Sequence, residues 1–431
     1  MQKVNAKTLA GFMELEPAQQ IVFNKMKRKI REVFEKNGLS PMDTPILEYS
    51  EILLAKAGGE TEKQIYRFNK GETDLCMRFD LTVPFAKYCA INQNILTFPF
   101  RRYQIGKVFR GERVQKGRLR EFYQCDMDII SDAELSLMAD AECVSVMSQI
   151  FESLEQKVKI SISNRKILVG FLEELNLQNN LTEILILLDK KDKIGREETI
   201  AELSKITNKA KEILEISEIK TIAELEKLKF NNQLFQQGIT ELTELFRNLQ
   251  IMNVANDNIV LDLSIIRGLD YYTGTVFEAV LENVKEKVSV GGGGRYENLA
   301  SNFTDKKLVG VGVSIGLSRL FDILDKNNLL EYKASTTAQI AIIPLGETLK
   351  ECFEFAKIFR DKDIKAEVLY FDKPFKQKMQ YANKIGVPFI TVIGENEIKN
   401  EEYGLKNMST GEVFQGSLTE IIAKLGEAND Q

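Results

Sequence analysis

The densest set of chemically capable residues runs from Arg101-Arg102-Tyr103-Gln104-Ile105-Gly106-Lys107-Val108-Phe109-Arg110-Gly111-Glu112-Arg113 to Gln115-Lys116-Gly117-Arg118-Leu119-Arg120-Glu121-Phe122-Tyr123-Gln124. Eight basic residues (Arg101, Arg102, Lys107, Arg110, Arg113, Lys116, Arg118, Arg120) face only Glu112 and Glu121 there. Arginine forks bind polyphosphate in bidentate fashion, and a nearby phenylalanine can stack on a base. Strand-like alternation on both sides of Gln115-Lys116-Gly117 predicts an antiparallel hairpin with a basic loop. A solvated basic hairpin is the alternative.

Three further segments carry potential. Ile266-Arg267-Gly268-Leu269-Asp270-Tyr271-Tyr272-Thr273-Gly274 sets an arginine beside paired tyrosines, which is costly to bury unless something anionic meets it. Gly291-Gly292-Gly293-Gly294-Arg295-Tyr296 allows close backbone approach to a ligand or a second strand, with a flexible hairpin as the other reading. Gly310 to Leu320 reads as a glycine-punctuated strand leading into a helix with Arg319, on a spacing that fits neither dinucleotide nor P-loop fingerprints.

What is missing narrows the chemistry further. The 431 residues include no histidine, which excludes Ser-His-Asp triads, Cys-His pairs, HExxH zinc helices and imidazole proton shuttles. Catalysis must rest on Arg, Lys, carboxylates, Tyr, backbone amides or a borrowed metal ion. With 58 basic and 63 acidic residues, the net charge of −5 argues against a nucleic-acid coat but permits a local basic patch. The five cysteines lie far apart without a CxxC pair, so buried, reduced thiols are expected and no zinc site. No apolar stretch follows the N-terminal residues and no run reaches a membrane span, so a cytoplasmic protein without membrane contact is expected.

The elements that must hold these residues are readable in outline. Ile21, Val22, Met26, Ile30, Val33 and Phe34 fall at helical spacing, which predicts a helix over 16–37 stopped by Asn37-Gly38. Pro45 turns the chain extended at Thr44. Residues 74–130 read as short strands and turns with one helix. Residues 170–255 are helix-rich and polar, an insert after which strand signals resume at Ile259. A linker at 331–338 leads to alternating strands and helices over 339–431, which predicts a small, mostly parallel α/β domain.

Together these segments resemble the class II aminoacyl-tRNA synthetases, and within that class the histidyl-tRNA synthetase family, over nearly the whole chain. Helix 16–37 with the strand through Pro45 resembles motif 1, Phe109 to Asp128 motif 2, and Gly310 to Leu320 motif 3. Arg267 through Glu278 and Gly291 through Tyr296 select the histidine family within the class. The resemblance implies an α+β catalytic domain with an antiparallel sheet over 1–169 and 256–330. It also implies a helical insertion domain over 170–255 and a C-terminal α/β anticodon-binding domain over 339–431. It implies an ATP-dependent histidine–tRNA ligase that forms histidyl-adenylate and transfers histidine to the 3′ end of tRNA(His). ATP with Mg²⁺ would be the cosubstrate and a homodimer the assembly. Arg110 and Arg267 would be catalytic. Asp80, Thr82 and Gln124 would hold the α-amino group of histidine, Asp128 and Tyr272 would read its imidazole, and Tyr271 would be a further histidine-binding residue. Arg110, Glu112, Arg118, Phe122 and Arg319 would bind ATP, while Arg113, Gln115 and Lys116 would meet the tRNA acceptor end. Many bacterial members have Glu where Asp80 and Asp128 stand and His where Tyr123 stands; the Phe-Tyr-Gln-Cys-Asp form matches eukaryote-like members. Alternatives are a synthetase-like regulatory subunit of ATP phosphoribosyltransferase and a non-catalytic tRNA-binding sensor module.

Overall fold

The computed structural model describes residues 4–55, 62–113, 117–254, 258–265, 272–285 and 287–427. The chain divides into two units, Met1–Met13 with Met26–Leu329, and Glu14–Lys25 with Leu330–Gln431. The strands of the first unit are β1 (Ser40–Pro41), β2 (Leu47–Tyr49), β3 (Arg67–Lys70), β4 (Thr73–Met77), β5 (Phe100–Phe109), β6 (Glu121–Ser131), β7 (Val158–Asn164), β8 (Ile259–Leu261), β9 (Tyr272–Leu281), β10 (Ser289–Tyr296) and β11 (Val309–Ile315). Eight of them form one sheet in the order β1-β5-β6-β11-β10-β9-β7-β8, antiparallel except at the β1–β5 and β7–β8 edges. Strands β2, β4 and β3 make a small separate antiparallel sheet.

The predicted N-terminal helix spans Pro17–Lys36 and stops where Gly38 takes a φ of +70°. Proline suits the first helical position because its missing N–H has no partner there, and glycine suits the left-handed exit. Near the helix's C-terminal end, Phe34 stacks on Tyr103 of β5 with ring centroids 5.3 Å apart. The Tyr103 hydroxyl donates to Glu35 at 2.6 Å. The helix Met138–Ser153 packs against β10 and β11, and its Asp140 takes both Nε (3.2 Å) and Nη2 (2.5 Å) of Arg295 in a buried bidentate pair. Arg295 of β10 thus points to the helical side of the sheet, leaving the other face for the residues described below.

The glycine run lies within β10 and is buried throughout, so it is not a flexible hairpin. Its role is the approach of a second strand: a Cβ on Gly293 would overlap the Gly312 carbonyl oxygen of β11 and come within 2.8 Å of the Phe277 ring. Between β7 and β8 the chain forms helices that include Arg165–Glu174, Leu181–Asp189, Arg196–Ser204, Ala210–Ser217 and Gln233–Ile251.

The second unit holds β12 (Ile340–Pro344), β13 (Ala366–Val368), β14 (Phe389–Ile393), β15 (Tyr403–Asn407) and β16 (Val413–Gly416) in the order β13-β12-β14-β15-β16. Ile340 and Ile342 of β12 pack with Cys352, Ala356, Phe359, Ile421 and Leu425 on one face, and Ala341 and Ile343 with Ala382 and Val387 on the other. That double burial is why β12 reads as an unbroken apolar run. The sheet is mixed rather than mostly parallel. Pairs β13–β12 and β12–β14 are parallel, but β14–β15 and β15–β16 are antiparallel. The physical reason is connection length: residues 394–402 fall short of the roughly dozen residues that a parallel crossover takes. Gly411, at φ +78°, closes the last hairpin.

Because the crowding at Gly293 involves backbone that cannot rotate away, Gly293→Ala is expected to lower stability by about 3 kcal/mol or more, measured by urea unfolding. An unchanged midpoint contradicts this packing.

Candidate active site

The β5–β6 hairpin sets the geometry. Its register pairs Gly106 with Gln124, Gln104 with Asp126 and Arg102 with Asp128. On the other side of β6, Ser314 of β11 lies opposite Asp126, and Gly312 opposite Asp128. Side chains alternate along a strand, so Phe122, Gln124, Asp126 and Asp128 share one face over roughly 20 Å. Phe122 and Gln124 are half-buried, whereas Asp126 and Asp128 are buried. The row therefore runs from an accessible mouth into a desolvated floor.

At the floor, Arg102 is fully buried and its Nη2 lies 2.6 Å from Asp128 Oδ2. The same guanidinium donates to Leu81 O at 3.2 Å and to Gln104 Oε1 at 3.3 Å, and its Cζ sits 4.3 Å from the centre of the Phe85 ring. The other Asp128 oxygen accepts from the Tyr296 hydroxyl at 2.9 Å. Gly312 makes room for this carboxylate, since a Cβ there would overlap Asp128 Oδ1.

The loop over 78–82 is pinned by three arginines. Arg78 donates from Nε to Lys107 O at 2.8 Å, Arg110 from Nε to Phe79 O at 3.0 Å, and Arg102 reaches Leu81 O. Between those anchors sits Asp80, buried, accepting from the N–H of Val83 at 3.2 Å. Two residues on, Thr82 opens the helix Thr82–Asn92. Gln124 donates from Nε2 to Ser314 Oγ at 2.7 Å, and its Oε1 is buried with no partner among the described residues.

Burial dominates the electrostatics of these carboxyls. Desolvation pushes Asp80 up to about 6, against the opposing pull of Arg110 and Arg102. Asp128 is likewise raised to about 6, with Arg102 and the Tyr296 hydroxyl holding it down. Asp126 rises to about 7, again through burial, with Asp128 and Asp80 adding repulsion and Arg102 opposing them. Three carboxyls thus share one fully buried guanidinium.

At the outer end, the Arg110 guanidinium lies 5.2 Å from the centre of the Phe122 ring. Glu112 pairs with Arg118 at 3.1 Å. Arg319 donates to Gly117 O at 2.7 Å and Ser289 O at 3.1 Å, joining the start of the helix Leu317–Lys326 to the hairpin's return arm. Arg113 is exposed nearby. Tyr272 begins β9 in register with Tyr296, whose hydroxyl is on Asp128. Asp80, Gln124 and Asp128 are therefore brought to one floor, with Arg110, Glu112, Arg118, Phe122 and Arg319 at its mouth. Arg267, Tyr271, Gln115 and Lys116 lie outside the described residues.

Sequence reasoning missed Arg102, Asp126, Tyr296 and Ser314. The available signal was the hairpin itself, because folding residues 101–130 about Gln115 sets Arg102 against Asp128. Four of the hairpin's eight basic residues meet a carboxylate on folding. Arg101 pairs with Glu142, Lys107 with Glu121 at 2.7 Å, Arg118 with Glu112, and Arg102 is buried on Asp128.

An antiparallel sheet carrying an arginine-rich hairpin, with a glycine-punctuated strand leading into an arginine-bearing helix, is the class II aminoacyl-tRNA synthetase arrangement. Residues 11–320 match the family described as Histidyl-tRNA synthetase, and residues 339–428 match an anticodon binding domain. The chain is 47% identical over 429 residues to a histidine–tRNA ligase of Clostridium tetani, covering 97% of this chain and 98% of that one. A crystal structure of histidyl-tRNA synthetase from Nostoc sp. PCC 7120 superposes with a TM-score of 0.91 at 31% identity, covering 99% of this chain and all of that one. An ATP phosphoribosyltransferase regulatory subunit/histidyl-tRNA synthetase from Bacillus halodurans C shares the fold alone, with a TM-score of 0.74 at 19% identity, over 88% of this chain and 97% of that one. The chain belongs to the histidyl-tRNA synthetase family.

Removing one partner of a buried ion pair costs about 3–5 kcal/mol. Arg102→Met is expected to lose that much near pH 8, measured by urea unfolding. The sign of the pH effect follows from the raised carboxyls, which in the folded chain keep their protons up to about 6–7. At about pH 5 they are neutral and need no counter-cation, so the loss there is smaller. A loss that grows as pH falls contradicts the role given to Arg102.

Proposed function

We propose that this chain activates L-histidine on the floor described above and transfers it to the 3′ end of tRNA(His), with Asp80, Thr82 and Gln124 holding the α-amino group and Asp128 and Tyr272 reading the imidazole. It is an ATP-dependent histidine–tRNA ligase. The observation that carries the reading is the row of half-buried Gln124 and buried Asp126 and Asp128 beside buried Asp80, a floor of hydrogen-bond acceptors below an arginine-bearing mouth.

The chemistry suits a chain without histidine. The nucleophile is the substrate carboxylate, already ionised at neutral pH, which attacks the α-phosphate of ATP and expels pyrophosphate. No proton leaves the nucleophile, so the protein's work is positioning and charge stabilisation. Arg110 is assigned to the α-phosphate and the attacking carboxylate, and its bond to Phe79 O and contact with Phe122 hold the guanidinium at the mouth. Phe122 is assigned to stack on adenine, Glu112 to its amino group, and Arg118 and Arg319 to the outer phosphates. Arg267 is assigned as the second catalytic arginine and Tyr271 to the histidine pocket. Arg113, Gln115 and Lys116 are assigned to the acceptor end. Mg²⁺ enters with ATP as part of the substrate; among the described residues no group of three His, Cys, Asp or Glu could hold a metal. In the transfer step a ribose hydroxyl loses a proton, and a phosphate oxygen of the adenylate takes it.

Specificity follows from pairing. A neutral imidazole offers one N–H donor and one bare acceptor nitrogen. Asp128 accepts from the first and the Tyr272 hydroxyl donates to the second. An amino acid lacking that pair leaves buried polar groups unpaired. Residues 170–255 are assigned as an insertion domain and 339–431 as the domain that meets the anticodon, which the match over 339–428 supports. A homodimer in the cytoplasm completes the reading: all five cysteines are buried and unpaired, in keeping with a reducing compartment. No helix among the described residues is long and apolar enough to cross a membrane.

ATP–pyrophosphate exchange, run with each amino acid in turn, tests the function. Exchange that depends on histidine is expected; none with any amino acid points to a regulatory or sensor role. Asp128→Asn is expected to raise the histidine KM roughly 10- to 100-fold, the worth of one hydrogen bond to a charged group, and to leave the ATP KM within about threefold. Equal changes for both substrates contradict the assignment of Asp128.

A further inference from the structure

On the same floor we infer that Asp126 is a further substrate-contacting residue, which accepts an N–H of the amino acid's α-ammonium through Oδ1, with Ser314 as its positioning residue. This rests on the reading of the floor as the histidine pocket. Asp126 is only 2% exposed, yet Oδ1 has no hydrogen-bond partner among the described residues. Buried acceptors are nearly always satisfied, so an orphaned one on a ligand-facing row points to a donor supplied by the ligand. The neighbouring Gln124 Oε1 is orphaned in the same way.

Ser314 ties the two together. Its Oγ accepts from Gln124 Nε2 at 2.7 Å, which commits the Gln124 amide to present Oε1 away from the serine. The serine's own O–H is then left for the Asp126 carboxylate, which it stabilises. One hydroxyl on β11 thereby orients two adjacent acceptors on β6, directly across the ladder pair Ser314–Asp126.

Donor counting says which ligand group they meet. The imidazole brings one N–H, and Asp128 takes it. The α-ammonium brings three N–H groups, and Asp126 Oδ1 joins Asp80, Thr82 and Gln124 Oε1 as an acceptor for them, an oxygen that otherwise has no donor among the described residues. An ammonium also supplies the positive charge that a site with three carboxyls and one buried arginine lacks. Holding Asp126 ready costs the free protein stability, because its carboxyl is buried with part of its hydrogen-bonding capacity unused. A residue kept for packing alone has no reason to bear that cost.

The test is Asp126→Asn, which keeps the shape and removes the charge, with Ser314→Ala as a second variant that leaves the carboxylate in place. The readouts are the histidine and ATP KM values in pyrophosphate exchange, the inhibition constant of 3-(imidazol-4-yl)propionate, and the midpoint of thermal unfolding. The propionate is histidine without its ammonium. Asp126→Asn is expected to raise the histidine KM at least roughly tenfold, leave the ATP KM and the propionate constant within about twofold, and not lower the unfolding midpoint. Ser314→Ala is expected to show the same selectivity at smaller size, and decides the matter if the asparagine variant does not fold. Weakening of histidine and propionate by the same factor in either variant overturns the assignment to the ammonium. An unchanged histidine KM in Asp126→Asn overturns the contact. Absence of histidine-dependent exchange in the unsubstituted protein overturns the functional reading, and this inference with it.

Discussion

A fully buried arginine facing a buried aspartate constrains much of the first unit. Neither Arg102 nor Asp128 is stable alone away from water, because each loses several kcal/mol of solvation that only close, well-aligned partners return. That requirement sets the register of β5 against β6. It calls for a glycine at 312, since any side chain there would occupy the carboxylate's space. It calls for the Tyr296 hydroxyl on the second oxygen, and it ties the loop carrying Asp80 to the sheet through Leu81 O. The acceptors of the floor are thus held by bonds that exist before any ligand arrives, which is what preorganisation requires.

A second consequence is the division of charge along one strand. The mouth of β6 carries arginines beside an aromatic ring and suits a nucleotide triphosphate. The floor carries carboxyls in excess and suits an ammonium and an imidazole. In the proposed reading a substrate carboxylate and an α-phosphate, both negative, meet between those regions beside Arg110, which is bonded to Phe79 O next to Asp80 and packed on Phe122. This arrangement needs no histidine, because the reacting group arrives ionised and the barrier lies in bringing like charges together.

Much of the fold was legible. The apolar spacing from Ile21 to Phe34 placed the first helix within a residue or so of Pro17–Lys36, and the Ile340–Ile343 run marked a strand buried on both faces. The two paired arms of the hairpin were legible from alternation on both sides of Gln115-Lys116-Gly117. What was not legible required partners remote in the chain. Arg102 counts as one more basic residue until β5 and β6 are paired. The glycine run reads as slack until Gly312 crosses it. The C-terminal sheet reads as mostly parallel until the short 394–402 connection between β14 and β15 is weighed. Asp126 escaped notice because a family pattern names the residues on either side of it. Only the unpartnered oxygen makes it stand out.

In the proposed reading, a cationic ligand relieves the carboxyls that burial raises on this floor. Carboxyl carbon NMR of aspartate-labelled protein, titrated with and without saturating L-histidine, tests this most directly. Aspartate carboxyls titrating at about 6–7 are expected in the free protein, from Asp80, Asp126 and Asp128, with a downward move of those titrations when histidine binds. Every aspartate titrating below about pH 5 in the free protein, with no response to histidine, would contradict it.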